Sequence, residues 1–187
     1  GGLHLKHRVY PDIAIFGKAL GNGYAINAII GRRDVMENAQ KSFISSTFWS
    51  ERIGPTAALE TLKVMKEKQS WRYITNIGNK YHSSLKAIAK RNKIDISTYG
   101  LSSLKSFKFN DKNHLIFKTY LTQEMLKRKI LATNSIYFCT EHNMNKLDRY
   151  FNILDEIFKN IYKAIESNNE KNLLDGDQCS TGFTRVN

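Results

Sequence analysis

The chain has 187 residues, and its 41% hydrophobic and 11% aromatic content excludes a disordered tail. Its 29 Lys and Arg residues against 17 Asp and Glu residues give a net charge of +12, which makes nucleic acid a partner to be tested. No stretch approaches the ~18 consecutive apolar residues of a membrane span, and two cysteines are too few for a disulfide-built scaffold and favour a reducing, cytoplasmic compartment.

The chain begins Gly1-Gly2-Leu3-His4, without an initiator Met. These first residues also lack the basic, apolar and small-residue regions that make up a signal peptide. A length of 187 residues corresponds to one domain or slightly more. Because a natural chain rarely begins without an initiator Met, we expect this one to be the C-terminal part of a longer protein.

The N-terminal part of the chain is predicted to contain short strands and turns. Residues 12–16 and 26–30 are apolar runs, each closed by a glycine, and both are predicted as buried strands. A glycine-rich turn, Gly21-Asn22-Gly23, lies between them. The remaining elements are a short helix at 33–40, an irregular stretch at 41–55, and a helix that begins at Ala57 with Thr56 as N-cap and Glu60 near the capping-box position.

The hydrophobic pattern changes at about residue 70, where a long amphipathic helix begins. The elements predicted after its end near Asn92 are strands at 94–99, 104–109 and 135–140, a helix over 115–129, and a last helix whose apolar positions run from Leu147 to Ile165. The tail from Asn168 to Asn187 has no periodicity and is expected to lie along the surface. We therefore predict two parts, a strand-rich one over 1–70 and an α+β one over 71–187.

The excess positive charge is concentrated between Lys63 and Lys93. This segment has nine basic residues and one acid, Glu67, and so carries +8 of the +12. Most of its lysines lie opposite an apolar stripe with helical spacing, as on the solvated face of an amphipathic helix. No run of five to eight Lys or Arg residues and no RNA-binding signature is present. A basic nucleic-acid-binding module is therefore the less favoured interpretation.

Lys18 differs from the other lysines in its surroundings. It follows an apolar strand and lies among small and apolar residues in Phe16-Gly17-Lys18-Ala19-Leu20-Gly21. A desolvated lysine has a lowered pKa, and its neutral amine can attack a carbonyl to form a Schiff base. The alternative is a lysine that simply reaches solvent from the end of a strand, and the composition alone favours this alternative.

Other chemistry has weak support in the sequence. Asp12 and Ala19 exclude a Walker A loop around Gly17-Lys18, and Ile26 stands where the dinucleotide fingerprint needs its third glycine. Cys139 with His142, and His4 with His7, have ligand-like spacing but no second pair, so we predict no metal site. The hydroxyl groups of the segment 45–51 either hold a phosphate or are ordinary turn residues.

Two longer stretches resemble a known family. They are the segment from Pro11 to Gly23, which contains Phe16-Gly17-Lys18-Ala19-Leu20-Gly21, and Ala28-Ile29-Ile30-Gly31-Arg32. Both are similar to the cofactor-lysine region of class III aminotransferases, pyridoxal-phosphate enzymes of fold type I, and most of all to the branch around glutamate-1-semialdehyde 2,1-aminomutase. Further similarity lies in Ser46-Thr47-Phe48, in the stretch Thr122–Arg128 and in Gly182-Phe183-Thr184-Arg185.

The resemblance implies a fold, a cofactor and site residues. The fold is α/β, with the C-terminal part of the large cofactor domain over 1–70 and the small α+β domain over 71–187. Lys18 forms a Schiff base with pyridoxal 5′-phosphate and then acts as the catalytic base. Thr47, with Ser46 beside it, binds the cofactor phosphate of the neighbouring subunit. The implied partners are a second copy of the chain, in a homodimer with shared active sites, and a small amino or aldehyde substrate.

The chain also departs from the family pattern. Many members have Gly-Asn-Pro after the threonine, whereas Ser50-Glu51-Arg52 stands here, which leaves the substrate open. The other cofactor contacts of the family lie upstream of Gly1, so these 187 residues are expected to be inactive alone. The resemblance predicts an aminotransferase or aminomutase of the glutamate-1-semialdehyde type. The alternative is a class III aminotransferase acting on a sugar or another aldehyde or keto substrate in surface-polysaccharide or secondary metabolism.

Overall fold

The computed structural model describes residues 2–180, and its chain divides into two compact units, Gly1–Gln69 and Ser70–Asn187. The first unit contains, in chain order, helix α1 (Leu3–Lys6), strand β1 (Ile13–Phe16), a 3-10 turn (Lys18–Leu20), strand β2 (Ala28–Gly31), helix α2 (Arg33–Met36), a second 3-10 turn (Glu37–Lys41) and helix α3 (Ile53–Lys68). The stretch Gly182-Phe183-Thr184-Arg185, which was given above as similar to the family, lies outside the described residues.

Strands β1 and β2 form an antiparallel hairpin, with Ile13 opposite Gly31 and Phe16 opposite Ala28. The two strands were predicted at nearly these positions, but the prediction that they are buried is wrong for the unit described. Ile15 is 71% exposed and Ile30 is 59% exposed. The reason is that a two-stranded sheet needs a second layer to cover its faces, and no other described element of this unit covers these side chains.

Helix α3 begins four residues earlier than predicted. Its first residue is Ile53, and the carboxylate of Glu51 caps it by accepting hydrogen bonds from the backbone N–H groups of Ile53 and, at 3.0 Å, Gly54. Pro55 therefore lies in the first turn, where the missing N–H of proline costs no helical hydrogen bond. Thr56 is not the N-cap, since Glu51 satisfies the free N–H groups instead.

The second unit is an α+β layer structure with its own core. Its elements are α4 (Ser70–Arg91), β3 (Ile96–Leu101), β4 (Leu104–Phe109), α5 (His114–Lys127), β5 (Ser135–Tyr137), α6 (Met144–Glu166) and a 3-10 turn (Glu170–Leu173). The strands pair antiparallel in the order β3-β4-β5. All three helices and all three strands were predicted. The helices repeat their apolar spacing over many residues, and the strands are short apolar segments between turns.

The core of the second unit is formed by the apolar stripes of its helices and by one face of the sheet. Leu85 of α4, Leu121 of α5 and Leu154 and Phe158 of α6 have no exposed surface, and neither has Phe107 of β4. Aromatic rings meet edge to face across these elements, as at Phe107–Phe158, with ring centroids 6.2 Å apart. Burial of these side chains is the main stabilising contribution.

The basic residues of α4 lie on its exposed face. Lys80, Lys86 and Lys90 are exposed, whereas Ile77, Leu85 and their neighbours on the other face are buried. This arrangement supports the solvated-face interpretation of the charge in this segment. None of the helices in the described part of the chain combines the length and the apolar character that crossing a membrane requires.

An ion-pair cluster joins α5 to α6 and to the C-terminal segment. Glu124 is 12% exposed and binds Arg128 (2.6 Å) and Lys127 (2.9 Å). Lys127 also binds Asp175 (2.7 Å), and Arg128 binds Glu156 of α6 (3.3 Å). Partial burial raises the pKa of Glu124, but hydrogen bonds from Lys127, Arg128 and a neighbouring glutamine together hold it below the usual 4.5.

This cluster predicts how stability depends on pH. A carboxylate whose pKa is lowered by folding stabilises the folded state above its unfolded pKa, and the contribution disappears as the pH falls through the folded pKa. Glu124→Gln should therefore lower the free energy of unfolding by on the order of 1 kcal/mol at pH 7. The difference from wild type should shrink as the pH falls below about 4 in urea unfolding experiments.

The matched control is Glu60→Gln. Glu60 pairs with Lys63 at 3.5 Å, and both side chains are 61% exposed, so this substitution should change stability little at any pH. Equal losses for Glu60→Gln and Glu124→Gln, or a difference at Glu124 that does not vary with pH, would contradict the assigned role of the cluster.

Candidate active site

Lys18 has a backbone conformation that few residues adopt. It lies two residues after the end of β1 and begins the 3-10 turn, with a φ of 50°, in the left-handed region. For a residue with a side chain this conformation costs on the order of 1 kcal/mol and persists only where surrounding contacts hold it. Here the Lys18 carbonyl accepts hydrogen bonds from the N–H groups of Gly21 (3.2 Å) and Asn22 (3.1 Å). The turn therefore fixes the point from which the lysine side chain extends.

The glycines on either side of Lys18 are required by close packing. A Cβ atom at Gly17 would lie 2.1 Å from Asn27 Oδ1, and a Cβ atom at Gly21 would lie 2.0 Å from the carbonyl oxygen of Tyr24. Both distances are far below van der Waals contact. At Gly21 the clash is with backbone, so no other residue fits there without a shift of the loop, whereas at Gly17 the side chain of Asn27 would have to move. The glycines are conspicuous in the sequence, whereas Asn27 has no signal of its own there.

The Lys18 side chain is exposed in this unit. Among residues 2–180 it makes no hydrogen bond or ion pair with another side chain. The expectation of a desolvated lysine is therefore not met within the described residues, because the apolar residues next to it in sequence are themselves exposed or only half-buried and do not cover the amine. The amine is available to a ligand.

Helix α3 packs against the loop that carries Lys18. Gly54, in the first turn of α3, is buried, and a Cβ atom there would lie 2.9 Å from the carbonyl oxygen of Ala25 and 3.3 Å from Ile26 Cβ. The capping residue Glu51 belongs to the Ser50-Glu51-Arg52 departure. Its carboxylate thus fixes the end of α3 that supports the loop between Lys18 and β2, a role that the sequence analysis did not foresee.

Ser46 and Thr47 lie in a different part of the first unit. The whole segment 42–50 is exposed, including Phe43 (95%) and Trp49 (73%). Ser46 Oγ accepts a hydrogen bond from the N–H of Phe48 at 3.2 Å, as in an ordinary serine turn. Within the described chain, no hydrogen bond connects Ser46 or Thr47 to Lys18, so a single copy does not bring the three predicted residues together.

An ion pair closes the open end of the hairpin. Arg32 donates a hydrogen bond from Nη1 to Asp12 (3.1 Å), and its backbone N–H donates to the carbonyl oxygen of the same residue (3.0 Å). Arg32 also binds Asp34 at 2.7 Å. These groups are more than 60% exposed, so their contribution to stability is small. They lie directly beyond Ile13 and Gly31, the last paired residues of the two strands.

The residues considered as metal ligands do not form a cluster. In the described ranges, no group of three His, Cys, Asp or Glu side chains is arranged to hold an ion. Cys139 and His142 are close, with Sγ 3.2 Å from Nδ1, but Nδ1 already accepts a hydrogen bond from the backbone N–H of Cys139 at 3.0 Å. This pair is a local turn in the second unit.

The residues present fit a phosphorylated aldehyde cofactor. An aldehyde carbon requires a primary amine, and Lys18 supplies one that is exposed and held by a rigid turn. A phosphate group requires hydroxyl or N–H donors, and Ser46 and Thr47 supply exposed hydroxyl groups on a segment without regular structure. These two kinds of group match the two ends of pyridoxal 5′-phosphate.

Comparison with known proteins gives the family. The family model for "Aminotransferase class-III" matches residues 3–146. Among curated proteins, 3-aminobutyryl-CoA aminotransferase of Cloacimonas acidaminovorans is 25% identical over 148 residues, which are 76% of this chain and 36% of the relative. Glutamate-1-semialdehyde 2,1-aminomutase of Methanocaldococcus jannaschii is 26% identical over 178 residues, 86% of this chain and 42% of the relative. The chain thus spans about two fifths of the length of these relatives.

A solved structure gives the fold. The FumI protein of Sphingopyxis sp. MTA144, in its PLP internal aldimine form, superposes with a TM-score of 0.80 at 20% identity, over 88% of this chain and 40% of that chain. The predicted α/β fold of pyridoxal-phosphate-dependent transferases of fold type I is confirmed, and family and fold support pyridoxal 5′-phosphate as the cofactor. The chain belongs to the class III aminotransferase family.

Proposed function

We propose that the protein containing this chain transfers amino groups with pyridoxal 5′-phosphate and that Lys18 is the residue that binds the cofactor covalently. The observation that carries the proposal is the placement of Lys18: an exposed amine on a left-handed turn, between Gly17, which packs closely on Asn27, and Gly21, where backbone leaves no room for a side chain. Other residues, among them Lys93 and Lys129, also have a left-handed backbone, so the conformation supports the proposal only together with the glycine-bounded turn that holds it.

In this proposal the residues of the chain have separate roles. When bound, pyridoxal phosphate withdraws electrons from the substrate carbon that carries the amino group. Lys18 Nζ, once free, takes a proton from that carbon or returns it, as a positioned general acid and base. The turn keeps the backbone of Lys18 in place. Only side-chain torsions are then needed to move the amine from the position in which it binds the cofactor to the position in which it transfers the proton. Glu51 supports the turn indirectly, through the end of α3.

We propose that residues 1–70 are the C-terminal part of the cofactor-binding large domain and residues 71–187 the small domain. The first unit supports this by its exposed apolar side chains, among them Ile15 (71%), Ile29 (57%) and Phe43 (95%). Apolar surface of this extent is normally covered by protein. The second unit has a complete core, as expected for a domain that folds by itself.

We propose that the active protein is a homodimer in which Thr47, with Ser46, binds the cofactor phosphate held by Lys18 of the partner subunit. The support is geometric: in one copy these hydroxyl groups are exposed and make no hydrogen bond to Lys18 within the described residues. A site shared between subunits would bring them together.

The substrate proposed first is glutamate-1-semialdehyde, in an aminomutase reaction in which one molecule both gives and receives the amino group. A relative that is 26% identical over 178 residues carries that activity in its name. The second candidate is a two-substrate aminotransferase acting on a sugar or another aldehyde or keto compound. This second candidate is supported by a relative that is 25% identical and is named 3-aminobutyryl-CoA aminotransferase.

Covalent labelling tests the role of Lys18. Borohydride reduction of the full-length protein with pyridoxal phosphate should fix the cofactor on Lys18, where peptide mass spectrometry detects it. Lys18→Ala should remove the label and reduce turnover by at least about 1,000-fold, since both binding and proton transfer depend on the amine. Its circular dichroism spectrum should stay unchanged, because the side chain is exposed.

The matched control is Lys41→Ala, which removes another exposed lysine of the first unit. This variant should keep both the label on Lys18 and the turnover. A label found on another lysine of the wild-type protein, with Lys18 unmodified, would show that the proposed function is assigned to the wrong residue.

Substrate assays separate the two candidate reactions. The full-length holoenzyme should convert glutamate-1-semialdehyde to 5-aminolevulinate without an added amino donor, because the mutase needs one substrate only. Turnover that requires a separate amino donor and a keto or aldehyde acceptor, together with none on glutamate-1-semialdehyde, would replace the aminomutase proposal by the broader aminotransferase one.

Mixing Lys18→Ala with Thr47→Ala, at a cofactor concentration that saturates the wild type but not Thr47→Ala, tests the shared site. Thr47→Ala should weaken cofactor binding by roughly 10–100-fold, because a hydrogen bond to a charged phosphate is lost. If Thr47 serves the partner subunit, a mixed dimer of Lys18→Ala and Thr47→Ala subunits contains one intact site. Random 1:1 exchange should therefore restore about a quarter of the wild-type sites.

If Thr47 serves Lys18 of its own subunit, the mixed dimer has no intact site, and no activity should return on mixing. Thr56→Ala is the control: this exposed threonine in the first turn of α3 should change neither cofactor binding nor the result of mixing.

A further inference from the structure

Helix α4 contains no acidic residue. Its 22 residues, Ser70–Arg91, include five Lys and Arg residues and neither Asp nor Glu. Helix α6, with 23 residues, has four Lys and Arg residues and four Asp and Glu residues. Both helices bury an apolar stripe in the same core and expose the opposite face. An excess of lysine throughout the chain would act on both helices alike, so it does not explain the difference between them.

The exposed cations of α4 have no acidic partner within residues 2–180. They are Arg72, Lys80, Lys86 and Lys90, and together they are called the basic face here. The fifth cation, Arg91, binds Asp155 of α6 at 2.8 Å and belongs to the contact between the two helices. Like charges four residues apart on a helix, as at Lys86 and Lys90, destabilise it. An anion from outside the unit would remove this repulsion.

Strand β4 adds a further cation beside the basic face. Lys105 is half-buried and donates from Nζ to the carbonyl oxygen of Gly100 at 2.9 Å, which fixes the position of its ammonium group. Partial burial lowers the pKa of His82, and the charges of Lys105 and Lys86 lower it further. The ammonium groups of β4 and α4 therefore act on the same imidazole, so positive charge is concentrated at this place.

The neutral residues between these cations argue against a membrane and against single-stranded nucleic acid as the partner. The exposed ones are Thr75, Asn76, Asn79, Ser83 and Ala87. A helix that binds a membrane surface needs large apolar side chains next to its basic ones. Single-stranded nucleic acid stacks its bases on aromatic rings. The part of the face between Arg72 and Lys90 offers neither kind of side chain.

The spacing of the cations fits the carboxylates of a polypeptide better than the phosphates of a duplex. At about 1.5 Å per residue, Arg72 and Lys90 are about 27 Å apart along the helix axis, and Lys86 and Lys90 are about 6 Å apart. Duplex DNA has one negative charge per about 1.7 Å of its axis, far more than four cations neutralise over this length. Acidic side chains one turn apart on a helix are about 5–6 Å from one another, which matches Lys86 and Lys90.

We propose that the basic face of α4 docks an acidic segment of another protein, with Asp or Glu side chains of that segment on Lys80, Lys86 and Lys90. These ion pairs remove the repulsion along α4, and attraction between the two charged surfaces speeds their encounter. The pairs are exposed to water, so each contributes little and the complex is sensitive to salt. This surface has a role beyond amino transfer and does not depend on Lys18.

Isothermal titration of the full-length holoenzyme tests the proposal, with poly-L-glutamate and a duplex DNA as probes. Poly-L-glutamate should bind, and its affinity should fall at least about tenfold between about 20 and about 200 mM salt. No binding of poly-L-glutamate at the lower salt concentration would overturn the proposal. Tighter binding of the duplex than of poly-L-glutamate, lost on substitution of the same lysines, would assign the face to nucleic acid and overturn it as well.

A triple variant locates the binding surface. Lys80→Gln, Lys86→Gln and Lys90→Gln combined should weaken binding of poly-L-glutamate at least about tenfold, because three ion pairs and the local attraction are lost. All three side chains are exposed, so the circular dichroism spectrum should stay unchanged. The variant should unfold at the same temperature as the wild type or at a higher one, since repulsion along α4 is removed.

The matched control removes the same charge elsewhere in the second unit. Lys112→Gln, Lys159→Gln and Lys163→Gln combined replace three exposed lysines that lie outside α4. This control should change the affinity for poly-L-glutamate less than about twofold, because its positions are not on the basic face. Equal losses for the two triple variants would show that binding follows net charge alone, and the docking surface would then be wrongly assigned.

Discussion

The left-handed turn at Lys18 is the constraint on which the chemistry proposed for this chain depends. Its unfavourable backbone is held by the antiparallel pairing of β1 with β2 and by hydrogen bonds from Gly21 and Asn22 to the Lys18 carbonyl. Gly17 packs on Asn27, and the first turn of α3 packs on the loop before β2. Each contact removes freedom from the backbone and leaves the side chain free. The two roles proposed for Lys18, binding a cofactor and later moving a proton, need this combination.

The two units differ in how they are stabilised. In the second unit, three helices bury continuous apolar stripes, and residues such as Leu121, Leu154 and Ile161 have no exposed surface. At about 25 cal/mol per Å² of apolar area, this burial dominates its stability. Among residues 2–69 of the first unit only Gly21, Gly54 and Ala58 are buried, and the apolar side chains Ile15, Ile29 and Ile30 of its hairpin are exposed. The candidate active site thus lies in the unit with the less complete core. In the proposed large domain and homodimer, other parts of the protein would cover the exposed apolar side chains of this unit.

The accuracy of the sequence predictions follows the range of the interactions involved. The long helices α4, α5 and α6 repeat their apolar spacing over three or more turns, so their positions were predicted within a few residues. The strands of the hairpin were located, but their burial was not, since burial depends on what other chain segments cover. The start of α3 was predicted four residues too late. Its first residues, Ile53, Gly54 and Pro55, have no helical signal in the sequence, and its cap is the side chain of Glu51. At the site, the glycines around Lys18 were visible in the sequence, whereas the contact of Asn27 with Gly17 was not.

The sequence by itself determined the family and singled out Lys18, Ser46 and Thr47 as candidates, because the lysine motif is a short contiguous stretch whose residue types are required locally. Only the tertiary structure decided that Lys18 is exposed on a left-handed turn, that Ser46 and Thr47 make no hydrogen bond to it within residues 2–180 of one copy, and that Glu51 caps α3. It also left the basic face of α4 exposed and without an ion pair within the same residues. The physical reason is that exposure, hydrogen bonding and electrostatic repulsion depend on distances through space, which residues far apart in sequence acquire only when the chain folds.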